Sequence, residues 1–361
     1  MKDILIAGRY RVDRKIGQGG FGLVYSGTDL QSGEEVAIKL EYMGNGRESL
    51  KWEQSVYEEL SGGVGIPRVR FSGSEGEYYV LVYDILGPSL EDLFNYCGRR
   101  FSLKTILLIA DQTISRLQYI HSKGWLHRDI KPDHFLSGTG RQGNTLYTID
   151  FGLATDFDPA HGQSLKCRPH QGTTLFASLN NHRGHQQSWG EDLESLGYAF
   201  VYFASGSLPW QDVDAHGSKE MVKELKEELS GEKLREAILP PEFATYIDHT
   251  RTLGFGNRPD YSYLRRLFRR LFVRKGFKHD NVFDWTEKRF HQLRQSTVNQ
   301  SVSSTEETPQ RHASKPRRSG RNVRKGGHGA AASAKAVTDA RPHADHRVVK
   351  RSRCAARKKP M

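Results

Sequence analysis

The 361-residue chain carries 54 Lys and Arg against 42 Asp and Glu, a formal net charge of +12. Residues 296–361 hold sixteen basic and four acidic side chains, which leaves 38 of each sign in residues 1–295. A charge-balanced body with a basic tail excludes a basic, DNA-coating globule and assigns any polyanionic partner to the tail.

Cys97, Cys167 and Cys354 lie far apart and form no C-x-x-C pair. Neither a disulfide framework nor a zinc site is expected, and a reducing compartment fits. No apolar run approaches the ~20 residues that span a bilayer. The apolar start is too short for a secretory signal. The expectation is a soluble protein of the cytoplasm, the nucleus or both, with about two domains or lobes.

Residues 1–88 read as short strands and one helix. Arg9–Lys15 alternates, Phe21–Thr28 and Val36–Ile38 are strand candidates, and Gln31-Ser32-Gly33 reads as a turn. Trp52, Val56 and Leu60 recur four apart, which predicts a helix over 47–60. Strands follow near Val69–Ser72 and Tyr78–Tyr83.

Past Gly87-Pro88 the pattern turns helical. Ser89 is an N-cap candidate, with Asp92 at the capping-box position. Ile106, Leu107, Ala110, Ile114, Leu117 and Ile120 make the apolar stripe of a helix over 102–123, closed by Gly124. More helices are predicted over 192–204, 219–229, 241–251 and 261–271. A β-rich small part before a helical large part is an α+β, two-lobed pattern. Residues 296–361 contain no Phe, Trp or Tyr. Such a segment buries too little apolar area to offset the entropy of ordering, so a disordered basic tail is expected.

Gly17-x-Gly19-x-x-Gly22 is a weak signal alone, because dinucleotide-binding folds carry it too. A dinucleotide fingerprint opens a helix, whereas Phe21–Thr28 reads as a second strand. The segment is therefore a glycine-rich hairpin whose backbone N–H groups can approach a triphosphate. Val36-Ala37-Ile38-Lys39 follows, and Glu53 lies fourteen residues on. Lys39 and Glu53 are either an ion pair that holds phosphates or two unrelated surface charges. His127-Arg128-Asp129 and, twenty-one residues after Asp129, Asp150-Phe151-Gly152 complete an ordered set. Each piece is noise by itself; together they are a strong joint signal.

These motifs make the chain resemble a eukaryotic protein kinase. Gly63-Val64-Gly65-Ile66-Pro67, Leu86-Gly87-Pro88-Ser89-Leu90, Tyr119-Ile120-His121-Ser122-Lys123, Glu191 through Gly197, Gly206 through Trp210, Pro259 through Leu264 and Phe283-Asp284-Trp285 narrow the resemblance to the casein kinase I family of serine/threonine kinases. Ser178-Leu179-Asn180 stands in place of the usual A-P-E, which that family also lacks.

The resemblance implies a bilobal kinase fold over about residues 10–290. The small lobe would occupy 1–88, the large lobe 89–295 and the tail 296–361. It implies ATP and Mg²⁺ as cofactors, and proteins with Ser or Thr, acidic ones above all, as substrates. Gly17, Gln18, Gly19, Gly20, Phe21, Gly22 and Leu23 would cover the phosphates. Ile16 and Val24 would sandwich the adenine with Ala37. Asp84-Ile85-Leu86 would be the hinge, and Tyr83 would close the pocket behind the adenine. Lys39, held by Glu53, would meet the α- and β-phosphates. Asp129 would orient the substrate hydroxyl and accept its proton, with Lys131 neutralising the transferred phosphoryl. Asp150 would hold the metal, and Asp192 would brace the His127–Asp129 loop.

Two departures stand out. The pattern H-R-D-x-x-x-x-N requires Asn where this chain has His134, at the second metal position. Imidazole suits Mg²⁺ poorly and Mn²⁺ better. The chain is then either an active kinase with a weakened second site, Mn²⁺ preferred, or a nucleotide-binding pseudokinase. Where the family has Gly-Thr-Ala-Arg, this chain has Gly172-Thr173-Thr174-Leu175. Leu175 cannot bind a primed substrate's phosphate by charge. Lys166 and Arg168 keep the short preceding stretch basic. In the tail, Lys315–Arg318, Arg321–Lys325 and Lys350–Lys359 are basic clusters. They are either solvated charge runs or a signal for a nuclear-import receptor or another polyanion-binding function. The family's tail is commonly autophosphorylated, and Ser301–Thr308 offers hydroxyls for it.

Overall fold

The computed structural model describes residues 4–19, 22–46, 48–161, 172–215, 217–228 and 239–303. Strands β1 (Leu5–Ile6), β2 (Tyr10–Gly19), β3 (Gly22–Asp29), β4 (Glu35–Tyr42), β5 (Val69–Glu75) and β6 (Tyr78–Asp84) form one antiparallel sheet in the order β1-β2-β3-β4-β6-β5. Alternation along the strands sends their side chains to two faces. Val36, Ile38, Val80 and Val82 join Ile6 and Tyr10 in a small outer core. Ala37, Leu81 and Tyr83 face the main core. Lys39 lies opposite Leu81 in the β4–β6 register, two residues from Ala37, and so points inward. Two-residue β1 is too short for a sequence period to reveal.

Helix α1 (Ser49–Glu59) buries Leu50, Glu53, Val56 and Tyr57. It has no side-chain cap of its own. Instead the buried Glu41 carboxylate accepts from Leu50 N at 2.9 Å and from the Ser49 hydroxyl. This satisfies orphan donors and puts negative charge at the helix N-terminus. Of the predicted stripe, Val56 and Leu60 are fully buried, while Trp52 is 41% exposed.

The helical part comprises α2 (Leu90–Tyr96), α3 (Leu103–Ser122), α4 (Leu179–His182), α5 (Trp189–Ser205), α6 (Gln211–Ala215), α7 (Lys219–Glu228), α8 (Pro241–Arg251), α9 (Tyr261–Arg274) and α10 (Asp284–Ser303). Short strands β7 (Trp125–Leu126), β8 (Phe135–Ser137), β9 (Leu146–Thr148) and β10 (Thr155–Asp156) pair as β7–β10 and β8–β9. Helix α5 is buried almost all round and packs between α3 and α8. Helix α3 ends where Gly124 adopts φ +81°. No helix among the described residues is long and apolar enough to cross a membrane.

One expectation is corrected. Helix α10 runs eight residues past Gln295, so the tail does not begin at Ser296. Residues 284–303 contain neither Gly nor Pro, so nothing in them stops the helix. Their polar Ser, Thr, Asn and Gln offered no period to read. The disorder expected for the remaining tail falls outside the described residues.

Ser89 carries the expected capping box. Its Oγ accepts from Asp92 N at 3.1 Å, and Asp92 Oδ2 accepts from Ser89 N at 3.0 Å. Ser89→Ala removes half of the box and is expected to cost about 1 kcal/mol. The midpoint of urea unfolding measures this; an unchanged midpoint contradicts it.

Candidate active site

The loop from His127 to Lys131 hangs from one buried carboxylate. Asp192, on α5, accepts from His127 N and Arg128 N at 2.8 Å each. The fixed amides hold Arg128 at φ +66°, a conformation that non-glycine residues rarely adopt. His121 Nε2 lies 2.9 Å from Asp192, and Tyr261 OH lies 2.7 Å from His121 Nδ1. Burial acts to raise the Asp192 carboxyl, but His121, His127 and the amide bonds together hold it below the usual range.

His127 is also fully buried. Its Nε2 faces Ile149 O at 3.0 Å, so it carries the hydrogen, and its Nδ1 accepts from Asp129 N at 3.3 Å. Burial and nearby His134 push this imidazole down, which keeps it neutral. His127 thereby ties Asp129 to the strand-like segment before Asp150.

Lys39 Nζ reaches Glu53 Oε2 at 2.7 Å and Asp150 Oδ1 at 3.0 Å. The predicted ion pair therefore forms, and a second carboxylate joins it. Burial would lower the Lys39 ammonium, but Glu53 and Asp150 outweigh it and raise it. Asp150 is held far below the usual carboxylate range against burial, by Lys39 and His134. Burial raises the Glu53 carboxyl, and Lys39 opposes this. Lys39 therefore keeps its charge, with Asp150 its ionised partner.

Asp150 also sits at φ +66°. Its amide donates to Tyr57 OH at 3.2 Å. The Tyr57 ring stacks on Tyr83 at 6.1 Å and meets Phe151 edge-on at 5.0 Å. Trp52 adds a second link from α1, its indole N–H donating to Ala154 O at 2.9 Å.

Asp129 is nearly buried and bound on both oxygens. Oδ2 takes Lys131 Nζ at 3.0 Å; Oδ1 takes Thr173 N and Thr173 Oγ1 at 2.8 Å each. The Thr173 hydroxyl in turn accepts from Lys131 at 3.0 Å. Burial works to raise the Asp129 carboxyl, but His134, Lys131 and Thr173 hold it low. An ionised carboxylate beside a lysine can orient a hydroxyl and receive its proton. Gly172 makes this geometry possible. It has φ +84°, and a Cβ there would lie 2.7 Å from Arg128 O and 3.0 Å from Asp129 Oδ1.

His134 bridges the two aspartates. Nδ1 donates to Asp129 O at 2.9 Å, since a carbonyl only accepts, and Nε2 lies 3.2 Å from Asp150 Oδ2. A charged imidazole donates from Nε2 to the Asp150 carboxylate, and a neutral one would offer its lone pair to a metal held with Asp150. Among the described residues no group of three or more His, Cys, Asp or Glu is placed to hold a metal. A pair of protein ligands fits a metal whose remaining ligands are phosphate oxygens and water.

Of the predicted cover, Ile16, Gly17, Gln18 and Gly19 lie in β2, and Gly22, Leu23 and Val24 in β3. Gly20 and Phe21 fall outside the described residues, as do Lys166 and Arg168. At Gly22 a Cβ would lie 2.2 Å from Leu40 O, so this position requires glycine. Gly17 meets no such limit. Ala37 lies opposite Tyr83, and both are buried. Asp84 N is taken by Arg68 O and its side chain by Arg70 Nε. Among the described residues the backbone groups of Ile85 and Leu86 make no hydrogen bond, leaving that edge open to a ligand.

Sequence reasoning did not assign Tyr57, Trp52, His121, or the bonds that Thr173 makes to Asp129. Only Gly172 carried a signal for the last, a glycine directly before Thr173. Gly172→Ala is expected to displace Asp129 and lower kcat by about tenfold or more, with nucleotide affinity unchanged. Steady-state kinetics beside a nucleotide titration checks this; wild-type kcat refutes it.

A family model described as a protein kinase domain matches residues 10–252 of the chain.

Proposed function

The chain belongs to the protein kinase domain family, and on that premise we propose that it transfers the γ-phosphoryl of ATP to Ser and Thr hydroxyls of proteins, as a kinase of casein kinase I type. Membership carries with it ATP, a divalent metal and protein substrates. The observation that carries the reading is Lys39, bound to Glu53 at 2.7 Å and Asp150 at 3.0 Å, with an ionised Asp129 across the cleft. In this reading Lys39 orients the phosphates, and the open edge at Ile85 and Leu86 binds the adenine. Asp129 places the substrate hydroxyl and takes its proton. Lys131 balances charge on the moving phosphoryl. Asp150 and His134 hold the metal, which supplies charge neutralisation to the phosphate oxygens. Such a reaction needs positioning and charge more than covalent chemistry.

The subfamily assignment rests on the sequence motifs and on the segment replacing A-P-E. That segment is well satisfied: Ser178 Oγ accepts from Asn181 N at 3.2 Å, and Leu179 N donates to Glu194 at 3.3 Å. Transfer of radiolabel from γ-labelled ATP to casein, with Asp150→Asn as the blank and phosphoamino-acid analysis of the product, tests the whole reading.

His134 supports a second reading, a nucleotide-binding pseudokinase. Only its Nε2 faces Asp150, because Nδ1 is committed to Asp129 O. One borderline nitrogen in place of an amide oxygen disfavours Mg²⁺. Turnover is therefore expected to be higher in Mn²⁺ than in Mg²⁺, and His134→Asn should erase most of the difference. Equal rates for both proteins in both metals would remove His134 from the metal site.

Leu175 bears on the substrate. It is half-buried against the core, and its carbonyl accepts from Trp210 Nε1 at 2.8 Å. It presents no charge to a phosphate. Peptides with and without phosphoserine three residues upstream of the target are expected to differ less than about threefold in kcat/KM. A strong preference for the primed peptide contradicts this.

A further inference from the structure

Lys226, on α7, is fully buried and makes no ion pair with a carboxylate among the described residues. Its Nζ donates to Thr174 O at 2.8 Å and Ala177 O at 2.7 Å, and lies 3.1 Å from His182 Nε2. The rings of Tyr198 and Trp210 flank it, each centroid 5.1 Å away. Burial pushes the ammonium down to about 7; Glu194 and Asp214 act to raise it, and Arg251 adds to the lowering.

An apolar side chain of similar length would fill this space between the rings without the cost of burying an amine. It would leave the carbonyl of Ala177 without a donor among the described residues, and that of Thr174 with only the long bond from Ala177 N at 3.3 Å. The loop matters because of where it leads. Thr173 is tied to Asp129 and Lys131, while Leu175 O is tied to Trp210. One short strip of chain is thus fastened to the proton-accepting carboxylate at one end and held from below along the rest.

We propose that Lys226 is a positioning residue for the protein substrate, fixing residues 174–177 at the height at which a substrate backbone can lie beside Asp129. This rests on the kinase reading above. Lys226 lies outside the nucleotide site, so its influence separates by substrate: the protein's KM depends on it, and that of ATP does not.

The test compares Lys226→Met and Lys226→Gln in the full chain, with dephosphorylated casein and ATP varied separately. Met removes both donors, and Gln keeps an amide N–H pair on a shorter stem. Met should raise the casein KM by about tenfold, leaving the ATP KM within about twofold and kcat within about threefold. Gln should recover part of the loss. An unchanged casein KM in Lys226→Met overturns the proposal, as does loss of kcat alone. Indistinguishable Met and Gln variants also overturn it. If neither variant folds, by thermal melting, Lys226 serves stability and the proposal falls. Failure of the kinase reading is separate: the wild type then labels no casein. In that case casein affinity by fluorescence anisotropy still decides on Lys226, with weaker binding by the Met variant expected and equal binding overturning it.

Discussion

A carboxylate kept out of water must find its partners inside the protein, and Asp192 finds them in the loop that leads into Asp129. It accepts two consecutive amides, from His127 and Arg128, while His121 closes its other side. Those amides force Arg128 into a left-handed conformation and so aim Asp129 into the cleft. The strain is affordable only because the acceptor is ionised and buried. Helices α3, α5 and α9 all contribute to this one arrangement, through His121, Asp192 and Tyr261.

The cleft repeats the same logic with cations. Lys39 would be costly inside the small lobe without Glu53 and Asp150, and each carboxylate would be costly without Lys39. Removing one member leaves the others uncompensated, so these side chains stand or fall together. His134 extends the set across to Asp129, and Lys131 with Thr173 closes it. The result is a connected line of polar and charged contacts from α1 to Thr173, with no link longer than an ordinary hydrogen bond or ion pair.

The residues to which the proposal gives nucleotide, metal or substrate hydroxyl stand in the sequence as short local patterns: Gly17, Gly19 and Gly22, Lys39, Asp129, Asp150. The capping box at Ser89 was legible for the same reason, since its two halves are three residues apart. What stayed hidden depends on contacts between distant parts of the chain. Thr173 and Asp129 are 44 residues apart, and Trp52 and Ala154 are 102 apart. No period or motif announces such pairs. Lys226 was hidden differently: in the run Lys219–Glu228 it reads as one more solvated lysine, and only the fold reveals that its ammonium faces inward. The extent of α10 was missed because a polar helix has no apolar stripe.

Tyr57 joins parts that the motifs treat as separate. Its ring backs Tyr83 at the rear of the cleft, its edge meets Phe151, and its hydroxyl holds the amide of Asp150. Tyr83 and Asp150 therefore share one support on α1. Glu53 sits on the same helix as Tyr57, so a displacement of Tyr83 would be transmitted through Tyr57 to both carboxylates that hold Lys39. A single phenol thus joins the aromatic packing behind Ala37 to the charged trio of Lys39, Glu53 and Asp150, and a substitution at either end would be felt at the other.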